Sequence, residues 1–216
     1  MKFPKKWERI FKKFDNWSKL TKKLKEEKDF YPLEEYIFEP FKLTSPKKVQ
    51  MVWIGQDPYS NDFHGEIVSH GLLFSTLIKD YIPPSLSNLL KELKRTHNIN
   101  KKDGNLTKWA KKGILMMNAS MTVRPGKPNS HQSIWKDFTS FILDYIDSHS
   151  TNLLFVGFGK PAEYTIGRRK NKTMFFPHPS PLNVSKPFIG TNAFKEIDKW
   201  FLSIDEKEFI KSLQDL

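Results

Sequence analysis

A short apolar run that stops in a polar loop occurs at residues 49–59, VQMVWIGQDPY. Its apolar part, residues 49–54, has the length of a buried β-strand and ends at Gly55. The loop that follows carries a carboxylic acid, Asp57, directly before Pro58. Three later runs have the same form, at residues 114–117, 153–156 and 174–176. The sequence therefore predicts four strands, each followed by a loop.

Apolar residues at helical spacing lie between these runs. One stripe follows Pro83 and Pro84, which predicts a helix that begins near Ser85. Further stripes occur at residues 7–24, 134–145 and 194–201. The first of these predicts one long amphipathic helix. Apolar strands that alternate with helices are typical of a parallel sheet covered on both faces. We therefore predict an α/β fold, an α/β/α sandwich around a central four-stranded parallel sheet.

The loops after the strands carry the polar side chains that could form a site. In a parallel sheet the carboxyl ends of the strands meet at one edge, where open α/β sheets bind ligands. Asp57, Asn118 and His178 each follow a different predicted strand. We therefore expect this acid, this amide and this imidazole to converge on one pocket, with Tyr59 and Phe74 as aromatic neighbours.

Length and charge favour one domain with a polyanionic partner. The chain has 216 residues. Because domains commonly hold roughly 100–200 residues, we expect residues 1–216 to form a single domain. Lys and Arg number 36 against 24 Asp and Glu, a formal net charge of +12. Such an excess is typical of nucleic-acid-binding proteins, although a lysine-rich solvated surface explains the composition equally well.

The sequence excludes several kinds of site. It has no Cys, which rules out thiol catalysis and zinc or iron–sulfur sites built on Cys. Asp62, His64 and His70 lack a defined metal-ligand spacing, so we expect neither a metal nor another cofactor. It contains no phosphate-binding glycine loop of the Walker or dinucleotide type, and no Gly-x-Ser-x-Gly turn for a serine nucleophile.

The sequence also favours an intracellular location. No apolar run approaches the roughly 20 residues of a membrane span. The basic N-terminal residues are not followed by the apolar segment of a secretory signal. We therefore expect the protein in the cytoplasm of a bacterium or, if it is viral, in the host cytoplasm or nucleus.

Five segments resemble, in order, the motifs of family 1 uracil-DNA glycosylases. They are residues 55–59 (GQDPY), 70–75 (HGLLFS), 82–86 (IPPSL), 113–119 (GILMMNA) and 178–182 (HPSPL). The resemblance extends from about residue 7 to about residue 200. One such motif would be weak evidence, whereas five in the same order and at similar spacing are specific. The sequence is therefore identified as similar to this family, of viral or bacterial type.

The resemblance implies a base-excision DNA repair hydrolase that cleaves the N-glycosidic bond of uracil and leaves an abasic site. It implies that Asp57 stabilises the cationic sugar and positions water, and that His178 donates a hydrogen bond to uracil O2. Asn118 would read N3–H and O4, Tyr59 would exclude the methyl group of thymine, and Phe74 would stack on the base. The implied uracil-binding residues are Gln56, Tyr59, Phe74 and Asn118.

The resemblance also implies a surface that grips DNA while the base is flipped out. Leu182 is similar to the apolar wedge that fills the vacated stack. The implied DNA-binding residues are Pro83, Pro84, Ser85, Ser180, Leu182 and Lys186. The implied partners are uracil-containing DNA, single or double stranded, and inhibitor proteins that mimic uracil or DNA. We expect a monomer.

The sequence departs from the family pattern near the site. Residues 60–63 are an insertion between Tyr59 and His64. Phe158 stands where relatives usually carry a small polar residue, so we expect the loss of one contact to DNA phosphate. The alternative function is a non-catalytic DNA-binding or replication-accessory protein on the same fold. The presence of the complete set of pocket residues favours an enzyme.

Overall fold

The computed structural model describes residues 2–204 and 209–213. The strands are β1 (Met51–Gly55), β2 (Asp62–Phe63), β3 (Glu66–Ile67), β4 (Ile114–Asn118), β5 (Leu154–Phe158) and β6 (Lys172–Phe176). The helices are α1 (Glu8–Phe11), α2 (Trp17–Lys25), α3 (Glu39–Leu43), α4 (Pro84–His97), α5 (Thr107–Lys111), α6 (Gln132–His149), α7 (Lys160–Ile166) and α8 (Ala193–Ser203). Short 3₁₀ turns lie at Glu34–Tyr36, Pro46–Lys48 and Lys211–Leu213. None of the helices in these residues is long and apolar enough to cross a membrane.

Four parallel strands form the central sheet, in the order β4-β1-β5-β6. The predicted four-stranded parallel sheet is therefore confirmed. The register pairs Gly55 at the end of β1 with Asn118 at the end of β4. It likewise pairs Phe158 with Phe176 at the ends of β5 and β6. The strand ends are thus level, and the segments that follow them begin at a common edge.

Helices cover both faces of the sheet, as the uninterrupted apolar strands predict. Met51 and Trp53 of β1 pack into one core with α4, α5 and α8. Val52 and Ile54, which point to the opposite face, pack into a second core with α1, α2, α3, α6 and α7. The α/β/α sandwich follows from this alternation, because every second side chain of a strand lies on the same face.

The prediction of one long N-terminal helix is wrong. The chain forms α1 and α2, separated by turns that include Asp15 and Asn16. These two residues favour turns because their side chains compete for backbone hydrogen bonds. The indole Nε1 of Trp17 donates to the carbonyl of Phe11 across the break, at 2.5 Å. The helical spacing of the apolar residues therefore reflects burial in one core rather than one continuous helix.

An antiparallel hairpin, β2–β3, lies outside the central sheet. Its turn consists of His64 and Gly65, both at positive φ (52° and 83°), as in the two-residue turns that match the twist of a hairpin. The carboxylate of Asp62 accepts the N–H of Gly65 at 3.1 Å. The ring of Phe63 stacks on Tyr81 with centroids 4.0 Å apart, which attaches the hairpin to the segment before α4.

Candidate active site

The segments that follow β1, β4 and β6 border one cleft at the carboxyl edge of the sheet. Its volume is about 390 Å³. The predicted site residues that line it are Gln56, Asp57, Tyr59, Phe74, Ser85, Asn118, His178, Ser180 and Leu182. The cleft therefore brings together an acid, an amide and an imidazole from three different strand ends.

Three of the predicted DNA-binding residues are not among the residues that line this cleft. Pro83 is buried just before α4, and Pro84 is the exposed first residue of that helix. Lys186 is exposed and lies in the segment that follows β6, beyond Leu182. None of these three residues forms part of the wall of the cleft.

The two carboxylate oxygens of Asp57 have different surroundings. Oδ2 accepts the side-chain amide of Gln56 at 2.9 Å and the backbone N–H of Asn129 at 2.7 Å. Oδ1 is buried and has no hydrogen-bond partner among the described residues. A buried acceptor without a partner is costly, so Oδ1 is suited to a ligand or a water molecule.

Asn118 presents a second buried oxygen. The side chain is only 2 % exposed, and its Oδ1 has no hydrogen-bond partner in the part of the chain that the structure describes. Gly55 makes this packing feasible, because a Cβ there would lie 2.2 Å from Leu73 Cδ1 and 3.0 Å from Asn118 Oδ1. A glycine at the end of β1 thus allows the amide of the neighbouring strand to approach the loop that follows β1.

Tyr59 and Phe74 form the aromatic wall of the cleft. The hydroxyl of Tyr59 donates to the carbonyl of Phe74 at 2.9 Å, which fixes the tyrosine ring. Burial raises the pKa of Tyr59 far above its usual value, so the phenol stays neutral. Phe74 has a φ of 63°, the left-handed region that few residues other than glycine occupy. Such strain at a cleft is typical of functional sites.

His178 is held as a neutral imidazole. Its Nδ1 accepts the backbone N–H of Ser180 at 3.1 Å, so the proton of the neutral ring is on Nε2. Burial lowers the pKa of His178. The ring of Phe74 lies edge-on to the imidazole, with centroids 5.7 Å apart. The cleft therefore contains a neutral N–H donor as well as the carboxylate of Asp57.

Comparison with known proteins identifies the family. A family model described as the uracil DNA glycosylase superfamily matches residues 41–202. The chain belongs to this family. Uracil-DNA glycosylase of Aliarcobacter butzleri is 36 % identical over 203 residues, which is 87 % of this chain and 92 % of the relative. Uracil-DNA glycosylase of Brevibacillus brevis is 38 % identical over 193 residues, 86 % of this chain and 82 % of the relative.

Solved uracil-DNA glycosylases share the fold. The crystal structure of mimivirus uracil-DNA glycosylase superposes with a TM-score of 0.86 at 25 % identity, and covers 95 % of this chain and 85 % of that one. A variant of the mimivirus protein, solved in complex with UGI, also gives a TM-score of 0.86 at 25 % identity, with coverage of 95 % and 87 %. The sandwich and its sheet are therefore those of the uracil-DNA glycosylases.

The segment after β6, residues 177–186, is called the wedge loop below. It exposes two apolar side chains to solvent, Leu182 (91 % exposed) and Val184 (81 %). Its base is fixed, because Asn88 donates to the carbonyl of Pro179 at 3.0 Å and the N–H of Leu182 donates to Ser180 Oγ at 3.2 Å. The apolar tip of this loop is therefore exposed on a base that hydrogen bonds hold in place.

Phe158, the last residue of β5, is buried behind the cleft. Its side chain is 1 % exposed and belongs to the core, where its ring lies edge-on to Trp53 at 5.3 Å and to Phe74 at 5.2 Å. The side chain of a strand-end residue is directed by the pleat, and here it points inward. Phe158 therefore supports the aromatic wall from behind, and the loss of one contact to DNA phosphate stays a prediction.

The insertion also has a different form from the one that the spacing predicts. Residues 60–63 are not a separate loop, because Asp62 and Phe63 are the first strand of the β2–β3 hairpin. His64 is at the exposed tip of that hairpin and is not among the residues that line the cleft. Ser60 lines the cleft instead, directly after Tyr59.

Sequence reasoning missed two features of the site. Asn129 contacts Asp57 from a loop 72 residues away, and the sequence carries no sign of this beyond an asparagine in a turn-rich segment. A second cavity of about 750 Å³ lies between α6 and α7 and shares Gln56 with the cleft. Across residues 2–204 and 209–213, no group of three His, Cys, Asp or Glu is arranged to hold a metal ion.

Proposed function

We propose that this member of the uracil-DNA glycosylase superfamily excises uracil from DNA as a base-excision repair enzyme. It hydrolyses the N-glycosidic bond and leaves an abasic site. The observation that carries the proposal is the cleft, which combines a neutral imidazole with a buried carboxylate oxygen and a buried amide oxygen. Neither oxygen has a hydrogen-bond partner among the described residues. A protein that only binds DNA has no need of this combination.

The reaction separates two charges, and Asp57 is suited to the first. As the bond breaks, the sugar approaches an oxocarbenium cation while the base leaves as an anion. The free Oδ1 of Asp57 can stabilise this cation and hold the attacking water. The hydrogen bonds from Gln56 and Asn129 to Oδ2 keep the carboxylate fixed, so little reorganisation is needed in the transition state.

His178 is suited to the charge that develops on the base. With Nδ1 occupied by the N–H of Ser180, its Nε2–H can donate to uracil O2 as negative charge builds there. Burial keeps the imidazole neutral by lowering its pKa. A neutral donor stabilises the anion without the cost of burying a full positive charge before the substrate binds.

Asn118, Tyr59 and Phe74 account for selectivity. The Oδ1 of Asn118 can accept from uracil N3–H while its amide donates to O4, and cytosine presents the opposite pattern. Tyr59, fixed by its bond to the Phe74 carbonyl, occupies the space beside C5 where thymine has its methyl group. The ring of Phe74 stacks on the base. Gln56, the first residue of the loop that also carries Asp57 and Tyr59, is the remaining uracil-binding residue.

The base must leave the duplex before it can enter the cleft. We assign this step to the wedge loop, in which exposed Leu182 fills the vacated stack. Ser85, Ser180 and Lys186, together with Pro83 and Pro84, grip the backbone around the flipped nucleotide. The excess of positive charge, +12, adds an attraction to DNA that depends on salt but not on sequence.

Further properties belong to the same proposal. Residues 1–216 form one glycosylase domain that acts as a monomer and needs no cofactor. Because the similar mimivirus protein has been solved with UGI bound, an inhibitor protein that mimics uracil or DNA is a second class of partner. The proposed substrate is uracil in single- or double-stranded DNA.

The test is release of uracil from a labelled oligonucleotide in the presence of EDTA, with a thymine oligonucleotide of the same sequence as control. We expect free uracil and an intact strand that breaks only after alkaline treatment. DNA binding without uracil release would support the alternative, a non-catalytic DNA-binding or replication-accessory protein. Inhibition by EDTA, or a strand cut without further treatment, would contradict the proposed chemistry.

A further inference from the structure

Backbone groups of the loop between β4 and α6 contact the loop that follows β1, which carries Asp57. The N–H of Asn129 donates to Asp57 Oδ2 at 2.7 Å, and the N–H of Gly126 donates to the carbonyl of Ser60 at 2.7 Å. These two contacts bracket the segment from Asp57 to Ser60. A loop far away in sequence therefore holds both ends of the segment that carries the acid.

The conformation of Asn129 directs its N–H toward the carboxylate. Its φ is 67°, in the left-handed region, where asparagine is found more often than most residues with a side chain. Its own Oδ1 accepts the side-chain amide of Gln132 at 2.6 Å, at the first turn of α6. The residue is thus held from its side chain while its backbone serves Asp57.

The loop is also anchored on its far side. Arg124 donates two hydrogen bonds to the carboxylate of Glu27, at 2.6 and 2.7 Å. The N–H of Arg124 donates to Ser130 Oγ at 2.8 Å, which closes the loop on itself. His131, next to Ser130, is buried and bonds to Thr122 at 2.7 Å. Because these attachments fix the loop, its backbone can hold Asp57 in one position.

Within the described part of the chain, two donors bond to Asp57 Oδ2 and none to Oδ1, which gives the carboxylate one orientation. We propose that Asn129 is a positioning residue, which fixes Asp57 so that Oδ1 faces the reacting sugar. The inference rests on the proposed function and adds a residue to it. Asn129 is not proposed to touch the substrate; it acts through Asp57, together with the side chain of Gln56.

The test compares substitutions that differ in their tolerance of the left-handed region. Asn129→Val disfavours it, because a β-branched residue there is strained, whereas Asn129→Gly retains it. We expect Asn129→Val to lower the single-turnover rate of uracil release about tenfold to a hundredfold, as loss of one hydrogen bond to a charged group predicts. Asn129→Gly should recover most of that loss. Binding to DNA that carries an uncleavable uracil analogue should change less than about threefold.

Two controls separate positioning from general strain. Asn152 is also exposed and left-handed (φ 55°), but precedes β5 away from the cleft, so Asn152→Val imposes similar strain without touching Asp57. It should keep the wild-type rate. In an Asp57→Asn background, Asn129→Val should cause no further loss, since it acts through the carboxylate. Thermal unfolding of every variant checks that each is folded.

The outcomes distinguish the inference from the function on which it rests. If the wild-type chain releases no uracil, the proposed function fails and the positioning role fails with it. If the wild type is active and Asn129→Val is equally active, the positioning role alone is overturned. An equal loss in Asn152→Val, or a full further loss in the Asp57→Asn background, also overturns it.

Discussion

The cleft and the wedge loop use their side chains in opposite ways. The cleft is called the pocket below, because we propose that it binds uracil. In the pocket, Asn118 is almost fully buried and Tyr59 is fixed by a hydrogen bond before any ligand arrives. On the wedge loop, the side chains of Leu182 and Val184 are almost fully exposed, although backbone and polar groups of the loop are hydrogen-bonded. The pocket is therefore preorganised, whereas the proposed wedge would gain its contacts only when DNA binds.

This difference predicts where mutations act. Changes in the pocket should alter the chemical step or the choice of base, because that geometry is set in the free protein. Changes on the wedge loop should alter the flipping of a paired base, because an exposed side chain contributes only after it has entered the stack. Substitutions in the two regions can therefore test this separation, and those in the pocket should have the largest effects.

Removal of the charged or donating group from the pocket should have the largest effect. Asp57→Asn and His178→Leu should each lower the single-turnover rate about 10²–10³-fold, the usual loss for one preorganised electrostatic group. Affinity for DNA with an uncleavable uracil analogue should be nearly unchanged, which serves as the control. A near wild-type rate in either variant would remove that residue from its assigned role.

Loss of the tyrosine ring should change the choice of base. Tyr59→Ala empties the space beside C5, so we expect release of thymine from single-stranded DNA together with about a tenfold loss of uracil release. Tyr59→Phe is the matched control, because it keeps the ring and removes only the bond to the Phe74 carbonyl. If Tyr59→Ala still rejects thymine, a different residue excludes the methyl group.

Some features of the pocket can be predicted from the sequence, and others cannot. The sheet and the meeting of Asp57, Asn118 and His178 are predictable, because apolar runs define strands and parallel strands end at one edge. The bond from Asn129 to Asp57 is not predictable, since it joins a backbone N–H to an acid 72 residues away. No side-chain pattern records a backbone donor.

Other errors have equally local causes. The hairpin at β2–β3 was hidden because its strands have two residues each, which is too short for a periodic pattern. The break between α1 and α2 leaves the apolar spacing intact, so periodicity alone could not reveal it.

The wedge loop should give a smaller effect that depends on the substrate. Leu182→Ala should lower uracil release from duplex DNA about tenfold, and from single strands less than threefold, because only the duplex has a stack to refill. Val184→Ala is the matched control on the same loop, exposed to a similar extent. Equal losses on both substrates would mean that Leu182 acts in the pocket and not as a wedge.

The hairpin should contribute less than the wedge. Asn61 and Val68 lie at its two ends, where the N–H of Val68 donates to the carbonyl of Asn61 at 3.4 Å. Replacing residues 62–67 with two glycines should therefore leave the ends in place and keep Ser60 bonded to Gly126. We expect uracil release within about threefold of wild type, since shortening a surface loop changes its closure entropy little. Phe63→Ala, which removes only the stack on Tyr81, is the comparison.

An inactive but folded hairpin variant would make the insertion part of the catalytic apparatus. It would also contradict the separation of pocket and periphery, because the hairpin tip is exposed and outside the cleft lining. A loss seen only on duplex DNA would instead make the hairpin a second DNA contact beside the wedge loop.

The smallest expected effect is that of pH near neutrality, and it tests whether the pocket is preorganised. Burial lowers the pKa of His178 below the usual value of about 6.5, so the neutral ring predominates at and above that pH. Because the neutral form is the one proposed to act, the single-turnover rate should change less than about twofold between pH 8 and pH 6.5 and fall only at lower pH. The stability of the fold should depend on pH in the same direction as the rate. A histidine with a lowered folded-state pKa stabilises the fold above its unfolded pKa and loses that contribution as pH falls. A rate that rises as pH falls through 6.5 would mean that the protonated imidazole is the active form, and the neutral donor assigned to His178 would then be wrong.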